Sequence, residues 1–130
     1  MPRKSGNLSS WVRQLRHRAK KYDLYSDIAL SDVAAVFDIY GECLICGNLD
    51  DLRVDTAFYL KHGVPNVQAN LIIICEKCSA KRGQADLFDL LDKGVISDQK
   101  LKDILSVSFT LKHGDVFREF IKHLSGIFDE

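Results

Sequence analysis

Four cysteines are the residues of this sequence with the best-defined chemistry. They occur as two C-x-x-C pairs, CLIC at residues 43–46 and CEKC at residues 75–78. Two cysteines three positions apart can both face one ion across a tight turn, and four thiolates suit tetrahedral zinc. Gly47 follows the first pair and permits the left-handed backbone that such a turn needs. We therefore predict a structural Zn²⁺ with no open position for substrate, bound by Cys43, Cys46, Cys75 and Cys78.

The setting of these cysteines separates metal binding from the other uses of cysteine. The N-terminal segment MPRKSGNLSS has no apolar stretch of the secretory-signal kind, and no apolar run approaches the roughly 20 residues of a membrane-spanning helix. We therefore expect an intracellular, cytoplasmic protein without membrane contact. In a reducing compartment the C-x-x-C spacing favours a metal site over a disulfide framework. Four reduced core cysteines are the alternative, whereas a redox pair needs a strand-to-helix setting that the sequence lacks.

Positive charge is concentrated at the front of the chain. Residues 1–22 contain seven Lys and Arg residues and no acid, whereas the remaining 108 residues contain 11 bases and 18 acids. This asymmetry is typical of a segment that contacts an anion, most often nucleic acid. The alternative interpretation is a solvated helix face. Residues 84–130, with nine acids and six bases, are a poor candidate for DNA contact.

Two amphipathic helices are predicted before the first cysteine pair. The first spans residues 8–21, because its apolar residues recur at helical spacing, and Asn7 or Ser9 can cap it. Its opposite face is almost entirely basic. The second helix covers SDVAAVFDIYG, with Ser31 as N-cap and Gly41 as the C-terminal stop, and it leads directly into the first cysteine pair.

A hairpin and further helices follow. Short runs rich in Leu, Val and Ile predict strands at residues 52–58 and 70–75, joined by a loop that contains HGVPN. A short helix should then run through KCSAKRG. Ser97 or Asp98 can cap one of three last amphipathic helices. Those three helices are predicted at about residues 85–93, 98–108 and 114–127.

A chain of 130 residues fits one domain with a single core. The fold class that these elements predict is α+β, with α-helices on both sides of a small zinc-stabilised core. Within the single domain 1–130 we distinguish a basic helical part at 1–41, a zinc-bound core at 42–83 and an acidic helical extension at 84–130.

Six short motifs occur in a fixed order along roughly half of the chain. They are RHRAKK at 16–21, LSDVAAVF at 30–37, CLICG at 43–47, VDT at 54–56, NLIIICEKC at 70–78 and SAKRG at 79–83. In this order, and with this spacing, they resemble the HNH endonuclease family. The resemblance implies a treble-clef zinc finger with a ββα-metal core, in which a hairpin and a helix hold a catalytic divalent ion against a scissile phosphate. It also suggests an origin in a phage or mobile element.

The resemblance assigns roles to three positions of this sequence. In the family an Asp binds the catalytic ion, the following His activates water, and the residue after the last cysteine is a second metal ligand. Asp55 matches the metal-binding Asp, so it would hold Mg²⁺ or Mn²⁺. Thr56 stands in the place of the His, and a threonine hydroxyl cannot accept a proton near pH 7. Ser79 stands in the place of the second ligand, where it is weaker than an amide or an imidazole.

Other positions add to this departure from the family pattern. Asn70 matches the internal Asn, but Phe58 replaces the usual proline and Arg82 stands where the family often has Lys. His62, six residues beyond Thr56 in the loop between the strands, is the candidate substitute base.

Three functions are compatible with these residues. The leading hypothesis is an HNH-like zinc protein that binds nucleic acid, DNA in the first place, and no longer cuts it. The second is an active Mg²⁺- or Mn²⁺-dependent DNA endonuclease that uses Asp55 and His62. The third is a zinc-scaffolded adaptor that binds a protein partner through the C-terminal helices, or an acidic tail that pairs with the basic front. Phosphate contacts are expected from Arg13, Arg16, Lys20, Lys21, Lys77, Lys81 and Arg82.

Overall fold

The structure is a computed structural model, and it describes residues 8–24, 26–58, 63–64, 66–83 and 85–125.

Helix α1 (Leu8–Lys21) forms because its apolar residues recur every three or four positions and face one side. The predicted cap Asn7 lies outside the described residues, and Ser9 lies within the helix. The buried face of α1 consists of Trp11, Val12, Leu15 and Ala19.

Helix α2 (Leu30–Tyr40) packs against α1, where the rings of Trp11 and Phe37 stack with centroids 5.2 Å apart. Its N-cap is Ala29, so the prediction of Ser31 as N-cap is wrong. The cause is Asp32, whose carboxylate accepts a hydrogen bond from the Ala29 amide at 2.9 Å and so anchors an earlier first turn. The other end agrees with the prediction, since α2 stops at a glycine in the left-handed region.

Strands β1 (Leu52–Thr56) and β2 (Leu71–Cys75) form an antiparallel hairpin. Leu52 lies opposite Cys75, and Thr56 lies opposite Leu71. Both strands are shorter than predicted at the loop end, because Gln68–Asn70 form a 3₁₀ turn before β2. Asn70 therefore binds the backbone of the Phe58 region with its side chain instead of extending the strand ladder.

Four helices complete the fold and lie close to their predicted positions: α3 (Glu76–Arg82), α4 (Leu87–Asp92), α5 (Asp98–Ser108) and α6 (Gly114–Ser125). The side chain of Cys75 caps α3. Asp86 and Asp89 cap α4 reciprocally, and Ser97 caps α5 as predicted. The predicted end of the last helix, at 126–127, lies outside the described residues.

The C-terminal helices share the core of the hairpin. Phe58, fully buried just after β1, lies 5.0 Å from the ring of Phe88 and 5.9 Å from that of Phe117. Buried apolar residues from α1 through α6 form one continuous cluster. The fold is thus α+β, with helices around a two-stranded sheet. Among the described helices, none combines the length and the apolar character that crossing a membrane requires.

Ion pairs also join the C-terminal part to the front of the chain. Asp27 lies 2.7 Å from the ring of His113 and 3.2 Å from the ammonium group of Lys112. Lys112 is also 3.9 Å from Asp32. In these pairs the bases belong to residues 84–130 and the acids to residues 1–41. An acidic C-terminal part that neutralises a basic N-terminal part would show the opposite arrangement. In the described ranges, no acid after residue 84 pairs with a base of α1.

Candidate metal centre and the surroundings of Asp55

The first cysteine pair forms a tight turn between α2 and β1. The amide of Cys46 donates to the Cys43 sulfur at 3.5 Å, and the amide of Gly47 donates to the Cys43 carbonyl at 2.9 Å. Gly47 has a φ of 79°, in the left-handed region predicted for it. The amide of Leu44 donates to the carbonyl of Ile73 at 2.9 Å, which attaches this turn to β2.

The second pair sits where β2 becomes α3, so the expectation that the sequence lacks a strand-to-helix setting for a cysteine pair is wrong. Cys75 ends the strand and caps the helix, and its sulfur accepts a hydrogen bond from the Cys78 amide at 3.5 Å. The two turns are therefore built alike, each with an amide donating to the first sulfur of its pair. Because the first turn is hydrogen-bonded to β2, both pairs face the same point.

The four sulfurs lie within 4.8 Å of one another, and those of Cys46 and Cys75 are 3.7 Å apart. A tetrahedral zinc with Zn–S bonds of about 2.3 Å separates its sulfurs by about 3.8 Å. Three of the cysteines are buried and Cys46 is exposed. This cluster can therefore hold a metal ion such as zinc.

The crowding of the thiols shifts their pKa values in opposite directions. Burial opposes ionisation of Cys75, but hydrogen bonds from the Cys78 amide and from neighbouring thiols outweigh it and lower the pKa of Cys75 to about 7. Burial and the same neighbours raise the pKa of Cys78. Four thiolates cannot share this space without a compensating cation, and a bound metal favours the deprotonated form of every ligand.

Asp55 is the buried acid of β1, and three groups surround its carboxylate. One oxygen accepts a hydrogen bond from the Thr56 amide at 2.8 Å and lies 3.6 Å from a guanidinium nitrogen of Arg18. The other oxygen accepts a hydrogen bond from the Ser79 hydroxyl at 3.5 Å. The structure thus brings Asp55 and Ser79 together and adds an arginine.

Among the residues that the structure describes, Asp55 does not belong to a group of three or more His, Cys, Asp or Glu residues that could hold an ion. Among the described residues, the four cysteines are the only group of three or more His, Cys, Asp or Glu residues whose ligand atoms lie close enough for one ion. Thr56 follows Asp55 on a strand, so its side chain points to the opposite face. The candidate base His62 lies outside the described residues.

Arg82 lies in the interior, although the sequence grouped it with the phosphate-binding bases. It is 5% exposed, and its guanidinium donates to the carbonyl of Thr56. The backbone of Thr56 is thereby held on both sides, its amide by Asp55 and its carbonyl by Arg82. The placement of Arg82 is structural, and its neighbour Lys81 is exposed.

The remaining bases of that group lie on the surface. Arg16 donates from Nε to the carbonyl of Ile28 at 2.9 Å, so its guanidinium is fixed beside the start of α2. Arg13 and Arg16 border an open groove of about 410 Å³. Within the described ranges, Arg18 is the one base of α1 with a carboxylate partner. The exposed bases are Arg13, Arg16, Lys20, Lys21, Lys77 and Lys81.

Sequence reasoning missed Arg18 as a site residue. Its spacing held a signal, because Arg18 stands three residues after Leu15 and seven after Trp11, at the border of the buried face of α1. An arginine at such a border can reach a neighbouring element.

Comparison with protein-family models, with curated proteins and with solved structures found no match for this chain.

Proposed function

We propose that this chain is an HNH-like zinc protein that binds nucleic acid, DNA in the first place, and does not cut it. The observation that carries the proposal is that the Asp55 carboxylate already has three protein partners. They are the Thr56 amide, the Arg18 guanidinium and the Ser79 hydroxyl. The acid that would bind a catalytic ion is thus engaged with an arginine, while the other bases of α1 face outward.

The four cysteines support a structural Zn²⁺ in this proposal. A set of four thiolates leaves zinc no open position, so the ion stabilises the fold without taking part in catalysis. It would tie the turn at Cys43 to β2 and α3, and those elements place Asp55 beside Ser79.

Loss of cutting follows from the partners of Asp55. A divalent cation on this carboxylate would lie next to the guanidinium of Arg18, which is 3.6 Å away, and the two positive charges would repel each other. The position of the general base is threonine, so the roughly 10²- to 10⁴-fold contribution of a positioned base is missing there.

Nucleic-acid contact is supported by bases of α1 that form no ion pair with an acid among the described residues. On α1 the helical repeat places Arg13, His17 and Lys20 opposite the buried face, with Lys21 alongside. Phosphates bound by such a surface displace counterions, so affinity should fall steeply with salt and depend little on sequence.

Charge reversal on α1 tests the proposal directly. A double variant, Lys20→Glu with Lys21→Glu, should weaken binding of a fluorescein-labelled DNA duplex by at least about tenfold at low salt, because two phosphate contacts are lost and two repulsions are added. The matched control is Lys100→Glu on α5 together with Lys93→Glu after α4, the same charge change on the acidic part, which should leave affinity nearly unchanged. Equal losses in both double variants would refute a surface centred on α1.

Incubation of supercoiled plasmid with the protein and Mg²⁺ or Mn²⁺ distinguishes binding from cutting. We expect intact plasmid with either ion. Nicking that disappears in Asp55→Ala would replace this proposal with the endonuclease. Failure to bind both DNA and RNA at low salt would leave the zinc-scaffolded protein adaptor.

A further inference from the structure

The ion pair between Arg18 and Asp55 joins the basic helix to the hairpin. Arg18 lies in the last part of α1 and Asp55 near the end of β1, 37 positions later in the chain. The side chain of Asp55 is 12% exposed and that of Arg18 is 41% exposed. The acid is thus almost enclosed, whereas much of the guanidinium faces solvent.

The carboxylate of Asp55 is held in place from within the hairpin and α3. The Thr56 amide fixes one oxygen at 2.8 Å, and the Ser79 hydroxyl reaches the other at 3.5 Å. An acceptor fixed in this way limits the rotamers of any arginine that pairs with it. Arg18 meets the carboxylate with one nitrogen, and a guanidinium has five N–H donors in a rigid fork.

We propose that Asp55 is a positioning residue for Arg18: it holds the guanidinium so that its outer edge receives a backbone phosphate of the bound nucleic acid. This inference rests on the proposed function. It gives the surviving acid of a degenerate nuclease site a role that needs neither a divalent ion nor a base. Arg18 then becomes a central phosphate contact, because bidentate contact between arginine and phosphate is among the stronger charged hydrogen bonds.

The expected change in nucleic-acid affinity on removal of Asp55 is opposite in sign to the change that simple electrostatics predicts. Removal of an acid near a polyanion normally strengthens binding, since one repulsion is lost. If Asp55 positions Arg18, its removal frees the arginine to sample many rotamers, and binding weakens. The sign of the change therefore separates the two accounts.

The test measures the affinity of the full, zinc-bound chain for a fluorescein-labelled DNA duplex by anisotropy at several salt concentrations. Asp55→Asn and Arg18→Ala should each weaken binding by about 3- to 10-fold and lower the salt slope by about one. The double variant should lose no more than Arg18→Ala alone, because both changes remove the same contact. Asp38→Asn on α2 is the matched control, an exposed acid whose loss should leave affinity equal or slightly higher.

Two results would overturn the inference: Asp55→Asn that binds as tightly as the wild type or more tightly, or losses that multiply in the double variant. Zinc content and a thermal melt show that each variant is folded. The wild-type chain supplies a readout without any Asp55 variant, since the guanidinium NMR signal of Arg18 should shift on titration with the duplex. A signal that stays in place overturns the inference. Absence of all nucleic-acid binding by the wild type removes the proposed function as well.

Discussion

Asn70 holds the backbone of Phe58 with both of its polar groups: its side-chain nitrogen donates to the Phe58 carbonyl at 3.0 Å, and its side-chain oxygen accepts from the Phe58 amide at 3.0 Å. The Asn70 carbonyl also accepts a hydrogen bond from the Ala57 amide at 2.8 Å. These bonds fix the chain directly after Asp55 and Thr56. They also present the ring of Phe58 to the C-terminal helices.

Asn70→Ala should lower the free energy of unfolding by about 2 to 4 kcal/mol, because it leaves a buried amide and a buried carbonyl without partners. Urea denaturation measures the change. Asn48→Ala, which removes an exposed asparagine hydrogen-bonded to the Asp50 amide, is the control and should cost less than about 1 kcal/mol. Equal costs would mean that the clamp on Phe58 contributes little.

Arg82 and Lys81 are neighbours for which we predict opposite phenotypes. Arg82→Ala should lower the free energy of unfolding by about 2 to 3 kcal/mol, since it removes a buried charged donor to the Thr56 carbonyl. Lys81→Ala should change stability by less than about 0.5 kcal/mol and should weaken nucleic-acid binding. The pair is compared by urea denaturation and by duplex titration. A stable Arg82→Ala variant with weakened binding would return Arg82 to the phosphate surface.

The sequence identified the elements and the cysteine cluster because both depend on local spacing. Apolar periodicity located α1, and the two C-x-x-C pairs located sulfurs that lie within 4.8 Å of one another. The N-cap of α2 was wrongly predicted at Ser31, because the Asp32 carboxylate accepts a hydrogen bond from the Ala29 amide and so begins the helix earlier. A signal for Arg82 was present but unused: it stands four residues after Cys78, on the same side of a short helix.

Contacts between residues far apart in the chain could not be predicted from the sequence. Arg18 meets Asp55 through tertiary packing, in which α1 lies against α2 and the rings of Trp11 and Phe37 stack. Likewise, the helices after residue 84 were interpreted from their composition as an acidic tail appended to the core. Their apolar faces complete the core around Phe58, and composition does not reveal that connection.

Removal of the metal should unfold at least residues 42–83, because binding free energy at such a site is folding free energy. Structural zinc contributes roughly 10 kcal/mol or more, which is comparable to the whole stability of a small domain. Circular dichroism melts with and without a chelator test this expectation, together with a measurement of zinc per chain. Coincident melts, or a chain purified without zinc that melts cooperatively, would contradict it.

Tyr40 should make stability depend on pH in the alkaline range. Burial raises the pKa of Tyr40 from 10.0 to about 12. A raised pKa means that the folded state favours the neutral phenol, so this contribution is complete below pH 10 and is lost as the pH rises toward 12. The wild type should therefore lose stability relative to Tyr40→Phe across that window.

Ultraviolet titration of the tyrosines checks the same prediction. One phenol step with a midpoint near pH 12 should disappear in Tyr40→Phe and persist in Tyr22→Phe, which removes an exposed tyrosine. Identical titration curves for the wild type and Tyr40→Phe would show that Tyr40 is not the shifted group.

The central claim is binding through phosphates without cleavage. One measurement tests it most directly: titration of a labelled DNA duplex with the zinc-bound wild-type chain in the presence of Mg²⁺, at salt concentrations from about 50 to about 300 mM. The same samples are then resolved on a denaturing gel. We predict an affinity whose logarithm falls linearly with the logarithm of salt concentration, with a slope near −0.9 for each phosphate contacted, and full-length strands on the gel. Affinity that does not respond to salt, or strands that are cut, would contradict the account.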